Sequence, residues 1–161
     1  MRLTIIFLTT ILLVVNCNVF GQVNETKEEN NSYNHSIGLG AGFTTGFGLS
    51  YRFLPKKMGI QTTLLILPDN YYSSIGITFL YKFTQRQSSS FYLYQSNLYS
   101  TYRTSGLKSD SPYFEWFNGF GFGTEILLGK RLGLNFMGGL GLFDSFSELT
   151  VTGETGLYYK F

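Results

Sequence analysis

Few side chains in this chain are equipped for chemistry, and their spacing limits what they can do. The one histidine, His35, opens an extended segment. A serine nucleophile needs a base within reach and a third group to orient that base, and no such set recurs along the chain. The one cysteine, Cys17, lies inside an apolar leader, so the rest of the chain has neither a disulfide nor a thiolate metal site. Gly38-Leu39-Gly40-Ala41-Gly42 superficially resembles a phosphate loop, but no helix follows it to supply amide donors. These residues therefore predict no catalytic site, no cofactor and no metal, and the chain is not expected to be an enzyme.

A second set of residues is more informative. Arg52, Lys82, Arg103, Glu115, Glu125, Glu154 and Lys160 all fall on the same face of alternating segments. A random register would put about half of them on the opposite face. If that face met lipid, each Arg or Lys at mid-depth would cost roughly 2–4 kcal/mol. Gathered inside a narrow tube, the charges must pair to offset desolvation. The expected pairs are Arg103 with Glu115 near one end, and Glu125 and Glu154 with Lys82, Arg52 or Lys160 nearer the other. Such a network is either a packed polar core or a path for protons or ions, and small barrels are normally filled.

The elements that must hold these charges have a period of two. Ile37, Leu39, Ala41 and Phe43 alternate with Ser36, Gly38, Gly40 and Gly42, and Phe47, Leu49, Tyr51 and Phe53 alternate with Gly46, Gly48, Ser50 and Arg52. Strands separate such sets onto two faces, whereas a helix would scatter them. Further segments run over 58–67, 71–83, 91–103, 113–128, 132–143 and 149–161. In 91–103 the register is ambiguous, and Tyr92, Tyr94, Leu98 and Tyr102 are assigned outward. Eight strands of roughly ten residues suit a closed, up-and-down antiparallel barrel that crosses a membrane. The inward glycines, among them Gly119, Gly121, Gly123 and Gly141, leave room for bulky inward partners such as Met137 and Tyr158, or permit coiling of the wall.

Composition agrees. Charged residues are 14% of the chain against about 25% in soluble domains, and aromatics reach 18%. A mean hydropathy of +0.05 excludes a bundle of membrane helices. The net charge of +2 gives no electrostatic case for nucleic acid. Residues 1–21 read as a cleaved signal peptide, with Arg2 before a short apolar run and small Val19 and Gly21 at the cleavage site. A rival reading makes Cys17 a lipidated cysteine. Residues 22–34 are polar and aperiodic, a disordered tether. Residues 35–161 form the barrel. A secreted Tyr/Gly-rich sandwich is the plainer alternative.

The chain ends Leu157-Tyr158-Tyr159-Lys160-Phe161. A terminal Phe preceded by alternate aromatic or apolar residues resembles the assembly signal of bacterial outer-membrane proteins, carried here by Tyr159 and Phe161. With eight alternating segments, the chain resembles the small eight-stranded barrels of the OmpA transmembrane domain and OmpX type. The resemblance implies a Gram-negative outer membrane, with outer-membrane lipids and the barrel-assembly machinery as partners. It also implies periplasmic turns at 54–57, 84–90 and 129–131, and extracellular loops at 44–45, 68–70, 104–112 and 144–148. Aromatic girdles are expected at Tyr71, Tyr72, Tyr102, Tyr113 and Trp116 outside, and at Tyr51, Phe53, Tyr81, Phe83, Tyr92, Tyr159 and Phe161 inside. Some small barrels are lipid-modifying enzymes, but their His-x-Ser spacing is absent, because Ser36 is adjacent to His35. Two roles remain: a structural or interaction barrel, with another envelope protein as a candidate partner, or a narrow channel or transporter for ions and small solutes.

Overall fold

A computed structural model describes residues 33–68, 72–86, 88–102, 113–143 and 148–161. The leader with Cys17, most of the 22–34 tether, Arg103, Tyr71 and the 104–112 loop lie outside the described residues, as do most of the loops at 68–70 and 144–148. Tyr33 and Asn34, the end of the expected tether, are held to the barrel, and the Leu54 amide donates to the Asn34 carbonyl at 2.8 Å.

Eight strands follow one another: β1 His35–Gly42, β2 Gly46–Phe53, β3 Met58–Ile66, β4 Tyr72–Gln85, β5 Ser89–Tyr102, β6 Tyr113–Leu128, β7 Leu132–Phe143 and β8 Glu148–Lys160. Each pairs antiparallel with the next, and β8 pairs with β1 to close the barrel. Closure satisfies both backbone edges of every strand along its paired length. The start of β1, the end of β8 and the turns after β2, β4 and β6 share one end, here the terminal end; the other is the loop end.

The period-two pattern is what the barrel sorts. Ile37, Leu39, Leu49, Tyr51, Ile75, Ile77, Phe79, Phe120 and Phe122 point outward and are exposed, while Ser36, Ser50, Arg52, Gln61, Thr63, Ser96 and Glu125 point inward and are buried. The interior is thus mostly polar, with a small apolar cluster of Leu80, Tyr92, Tyr94 and Met137.

The structure corrects the register of β5. Tyr92, Tyr94 and Leu98 are buried in the lumen at 1%, 3% and 2% exposure, not outward, and Tyr92 belongs to no girdle. Tyr102 shares their face and stacks on Tyr113 at 5.4 Å between centroids. Both faces of β5 carry bulky groups, so β5 alone does not decide its register; its neighbour does. Tyr92 and Tyr94 lie opposite Gly123 and Gly121 of β6, where the rings find volume, whereas Leu93 and Gln95 lie beside Phe122 and Phe120. A Cβ on Gly123 would overlap the Tyr92 ring.

The wall is uneven at the loop end. β1 and β2 have 8 residues each, whereas β4 and β5 have 14. Pairing of β1 with β8 ends at Gly42 and Glu154, and pairing of β2 with β3 ends at Leu49 and Leu64. β8 continues to Glu148 and β3 to Ile66. Among the described residues these edges face a notch above the β1–β2 hairpin that neither strand of the hairpin bridges.

Tyr92→Ala should cost about 3–5 kcal/mol, the range for removing a buried aromatic ring. Phe91→Ala, on the outward face beside it, should cost less than half as much. Equilibrium urea unfolding of both variants in lipid vesicles checks this, and equal losses would contradict the inward register of Tyr92.

Candidate functional site

The candidate site is the lumen, which its own residues occupy at two levels. The level near the terminal end is ionic. Register sets Arg52 between Ser36 of β1 and Gln61 of β3, all inward. Arg52 is 2% exposed, so its charge must be met by protein groups. Its Nη1 donates to Glu125 Oε2 at 2.8 Å. Nε and Nη2 donate to Gln61 Oε1 at 3.2 and 2.7 Å. The guanidinium lies over the Tyr158 ring at 4.2 Å from its centroid, with the Tyr92 ring at 5.8 Å. Planar, multidonor arginine suits this combination of fork and stack better than lysine would. Lys160 Nζ bonds the other Glu125 oxygen, so one carboxylate serves two cations. Tyr158 donates to Ser50 Oγ at 3.2 Å, and Ser50 and Thr63 share a hydrogen bond at 3.1 Å.

The second level is the tip of the β1–β2 hairpin. Sequence reasoning makes Thr44–Thr45 an exterior loop; the structure instead folds it into the tube, with Thr44 and Thr45 at 0% and 2% exposure. Gly46 and Gly48 after the tip have φ of 91° and 121°, in the region that favours glycine, and this turns the chain inward. The socket is made of small residues. A Cβ on Gly76 of β4 would overlap the Thr45 carbonyl, and one on Gly119 of β6 would overlap the Thr44 hydroxyl. Ser96 Oγ donates to Thr44 Oγ1 at 2.8 Å, and Thr44 Oγ1 in turn donates to Glu154 Oε1. One turn thereby touches β4, β5, β6 and β8.

The residues singled out from sequence separate accordingly. Arg52, Glu125 and Lys160 are brought together. Glu154 is not with them, which corrects the expected cation pair. It lies opposite Gly42, whereas Arg52 and Lys160 lie opposite Ser36. That is six residues along β1, or about 20 Å at the rise of a strand. Its partner is the Thr44 hydroxyl instead. Lys82, opposite inward Tyr92, donates to Gln85. Glu115 is exposed at the loop-end mouth and accepts from the Tyr102 hydroxyl at 3.3 Å. Its expected partner Arg103 lies outside the described residues. Tyr159 and Phe161 are exposed on the outer wall at the terminal end.

That rim is knit by aromatic and polar contacts. The Phe161 amide donates to the His35 carbonyl at 2.9 Å. The His35 ring sits 4.8 Å from Phe53 and 5.9 Å from Phe161, and its Nδ1 is 2.6 Å from the Tyr51 hydroxyl. In the β6–β7 turn, Arg131 donates to the hydroxyls of Tyr159 at 2.8 Å and Tyr33 at 3.3 Å. These bonds raise the guanidinium pKa above its ordinary value. Sequence reasoning missed Gln61, Tyr92, Thr44 and Thr45. The available signal was the short β1–β2 repeat ending in two threonines between glycines, with further glycines facing it on β4 and β6.

Arg52→Ala should destabilise the barrel by about 3–5 kcal/mol, because Glu125 and Gln61 lose a buried partner, while the double change Arg52→Met/Glu125→Leu should cost less. Urea unfolding of the single and double variants checks the order. The hairpin tip has its own test. In a Cys17→Ser background, Thr45→Cys should resist a bulky maleimide, and adding Gly76→Val should expose it; equal labelling of the two proteins would contradict the socket.

No protein-family model matches the sequence, and none of the curated proteins matches it. Among solved structures, the barrel is similar to the N-terminal β-barrel domain of OprF from Pseudomonas aeruginosa, with a TM-score of 0.60 at 9% identity over 79% of this chain and 96% of that one. A Neisserial surface protein A (NspA) structure also matches, with a TM-score of 0.45 at 16% identity over 79% of this chain and 94% of that one. At the level of fold, the chain therefore shares a closed eight-stranded antiparallel barrel with the OprF domain.

Proposed function

We propose that this chain is a small outer-membrane β-barrel of a Gram-negative bacterium with a structural or interaction role in the envelope. The carrying observation is the double closure of the lumen, by the Arg52–Glu125–Lys160 cluster and by the Thr44–Thr45 tip. A tube blocked twice by its own residues is built to hold its shape, not to pass solute.

The outer wall supports the membrane. Ile37, Leu39, Leu49, Phe79, Phe122 and Leu157 are each more than 40% exposed and come from different parts of the sheet. Water-soluble proteins rarely show apolar patches beyond a few hundred Å². A wall of this kind needs hydrocarbon beside it. Tyr159 and Phe161 then face lipid at the periplasmic rim, in keeping with a terminal signal read by the barrel-assembly machinery. The wall also carries a polar interruption at mid-height. Asn97 lies opposite Asn118 and its amide donates to Gln95 at 3.2 Å; these residues share the outward parity of β5 and β6, though Asn118 is only 8% exposed. Carboxamides in hydrocarbon favour contact with other polar groups, which supports an interaction role with another envelope protein.

The purified, refolded protein should give no single-channel steps in planar bilayers. Steady conductance steps from pure protein would overturn the closed-lumen reading in favour of a narrow channel. Overexpression should leave the lipid A mass spectrum unchanged; a mass shift would instead favour a lipid-modifying enzyme.

A further inference from the structure

Above the hairpin tip the lumen changes character. Between the loop-end stretches of β6, β7 and β8 lies a cavity of about 420 Å³, lined by Glu115, Trp116, Phe117, Phe143, Glu148 and Thr150 among others. Below the tip the lumen is mostly hydroxyls, amides and ions; here it is aromatic and acidic. Phe117 and Phe143 meet edge to face at 5.0 Å between centroids. Tyr102 stacks on Tyr113 at the same mouth and donates to Glu115. Neither Glu115 nor Glu148 is joined to a cation within the described part of the barrel.

This combination selects a ligand by its chemistry. Aromatic faces attract cations through their quadrupoles and bury apolar surface, and they bind best a cation whose hydration shell is weak. Carboxylates at the rim add attraction for positive charge and penalise anions. A strongly hydrated metal ion gains little from rings, and the described residues contain no cluster of three or more ligating side chains. A neutral apolar molecule would use the rings and leave the carboxylates unused. The volume falls in the range of small-molecule sites, roughly 300–1,000 Å³. β8 lines the cavity with Glu148 and Thr150, and its opposite edge borders the notch in the wall, where outward Leu149 and Val151 are 63% and 79% exposed. A ligand dissolved in the bilayer would meet this apolar edge first.

We propose that the loop-end cavity is a binding site for a hydrophobic organic cation, of the quaternary ammonium or phosphonium class. The site is independent of whether the lumen below it conducts. Trp116 is the one tryptophan of the chain; it shares the outward parity of β6 and packs on Tyr99, but it borders the cavity, so its fluorescence senses occupancy.

The test titrates tetraphenylphosphonium into the full-length protein refolded in neutral detergent and reads Trp116 quenching. Neutral triphenylphosphine oxide and anionic tetraphenylborate serve as comparison probes. The phosphonium should bind saturably, and more tightly than either comparison. Glu115→Gln/Glu148→Gln should weaken phosphonium binding by about tenfold and leave the neutral probe within about twofold. Phe117→Ala should weaken both. If the double variant does not fold, the wild-type salt dependence decides: raising ionic strength should weaken the phosphonium and not the oxide. Tighter binding of the borate, equal binding of all three probes, or a phosphonium affinity indifferent to both the Glu changes and salt would overturn the proposal.

Discussion

A charge that cannot reach water must be answered by the protein, and in this barrel one guanidinium organises the answer. Arg52 sits inside the wall at 2% exposure and is met on every side: Glu125 and Gln61 take its donors, and Tyr158 takes its face. Those partners come from β6, β3 and β8. The cluster therefore ties β2 to its neighbour β3 and also to β6 and β8, which do not pair with it, and it does so only if all four strands keep their registers. A slip of one residue in β2 would turn Arg52 outward and put Tyr51 and Phe53 into the tube. Buried ion clusters add little net stability over an apolar core, but breaking one is costly. In this barrel the cluster selects one register among alternatives that share the same alternation.

The hairpin tip follows from the same need to fill a narrow tube, met by different means. Where β1 and β2 stop short, the lumen would be open above the ionic level. The chain fills it with its own turn, and the turn fits because the facing positions have no side chain to remove. The glycines at 76 and 119 are spaces shaped for Thr44 and Thr45. The Thr44–Glu154 bond then gives a buried carboxylate a hydroxyl partner. Short strands, an inward turn and glycine-lined strands opposite form one arrangement. Its by-product is a notch in the wall and an aromatic chamber above the tip.

Much of this was legible in the sequence. Strict alternation in β1, β2, β4, β7 and β8 placed their faces because large apolar and small or polar residues rarely mix there. Among the described residues, the inward placement of Arg52, Glu125 and Glu154 followed from the same parity. β5 was not legible, because Tyr92, Tyr94 and Leu98 look as outward as Phe91, Leu93 and Tyr99. The glycines that settle the matter are on β6, about 30 residues away in sequence, and such pairing is a tertiary fact. Glu154 was placed on the right face but at the wrong height: alternation reports which side of the wall a residue takes, and only pairing register reports its level along the tube. The hairpin tip was missed because turns are ordinarily exposed, and the glycines that receive it lie on β4 and β6, far away in sequence.

The proposed place in an outer membrane requires hydrocarbon against one parity of each strand while the other parity is sealed inside. The most direct measurement is a scan of β2 with single spin labels from Leu49 to Phe53, in protein reconstituted into lipid vesicles. Labels at Leu49, Tyr51 and Phe53 should be reached by oxygen dissolved in the bilayer and not by a water-soluble nickel chelate, while labels at Ser50 and Arg52 should be shielded from both. Loss of this alternation, or access of the chelate to Leu49 and Tyr51, would contradict the account.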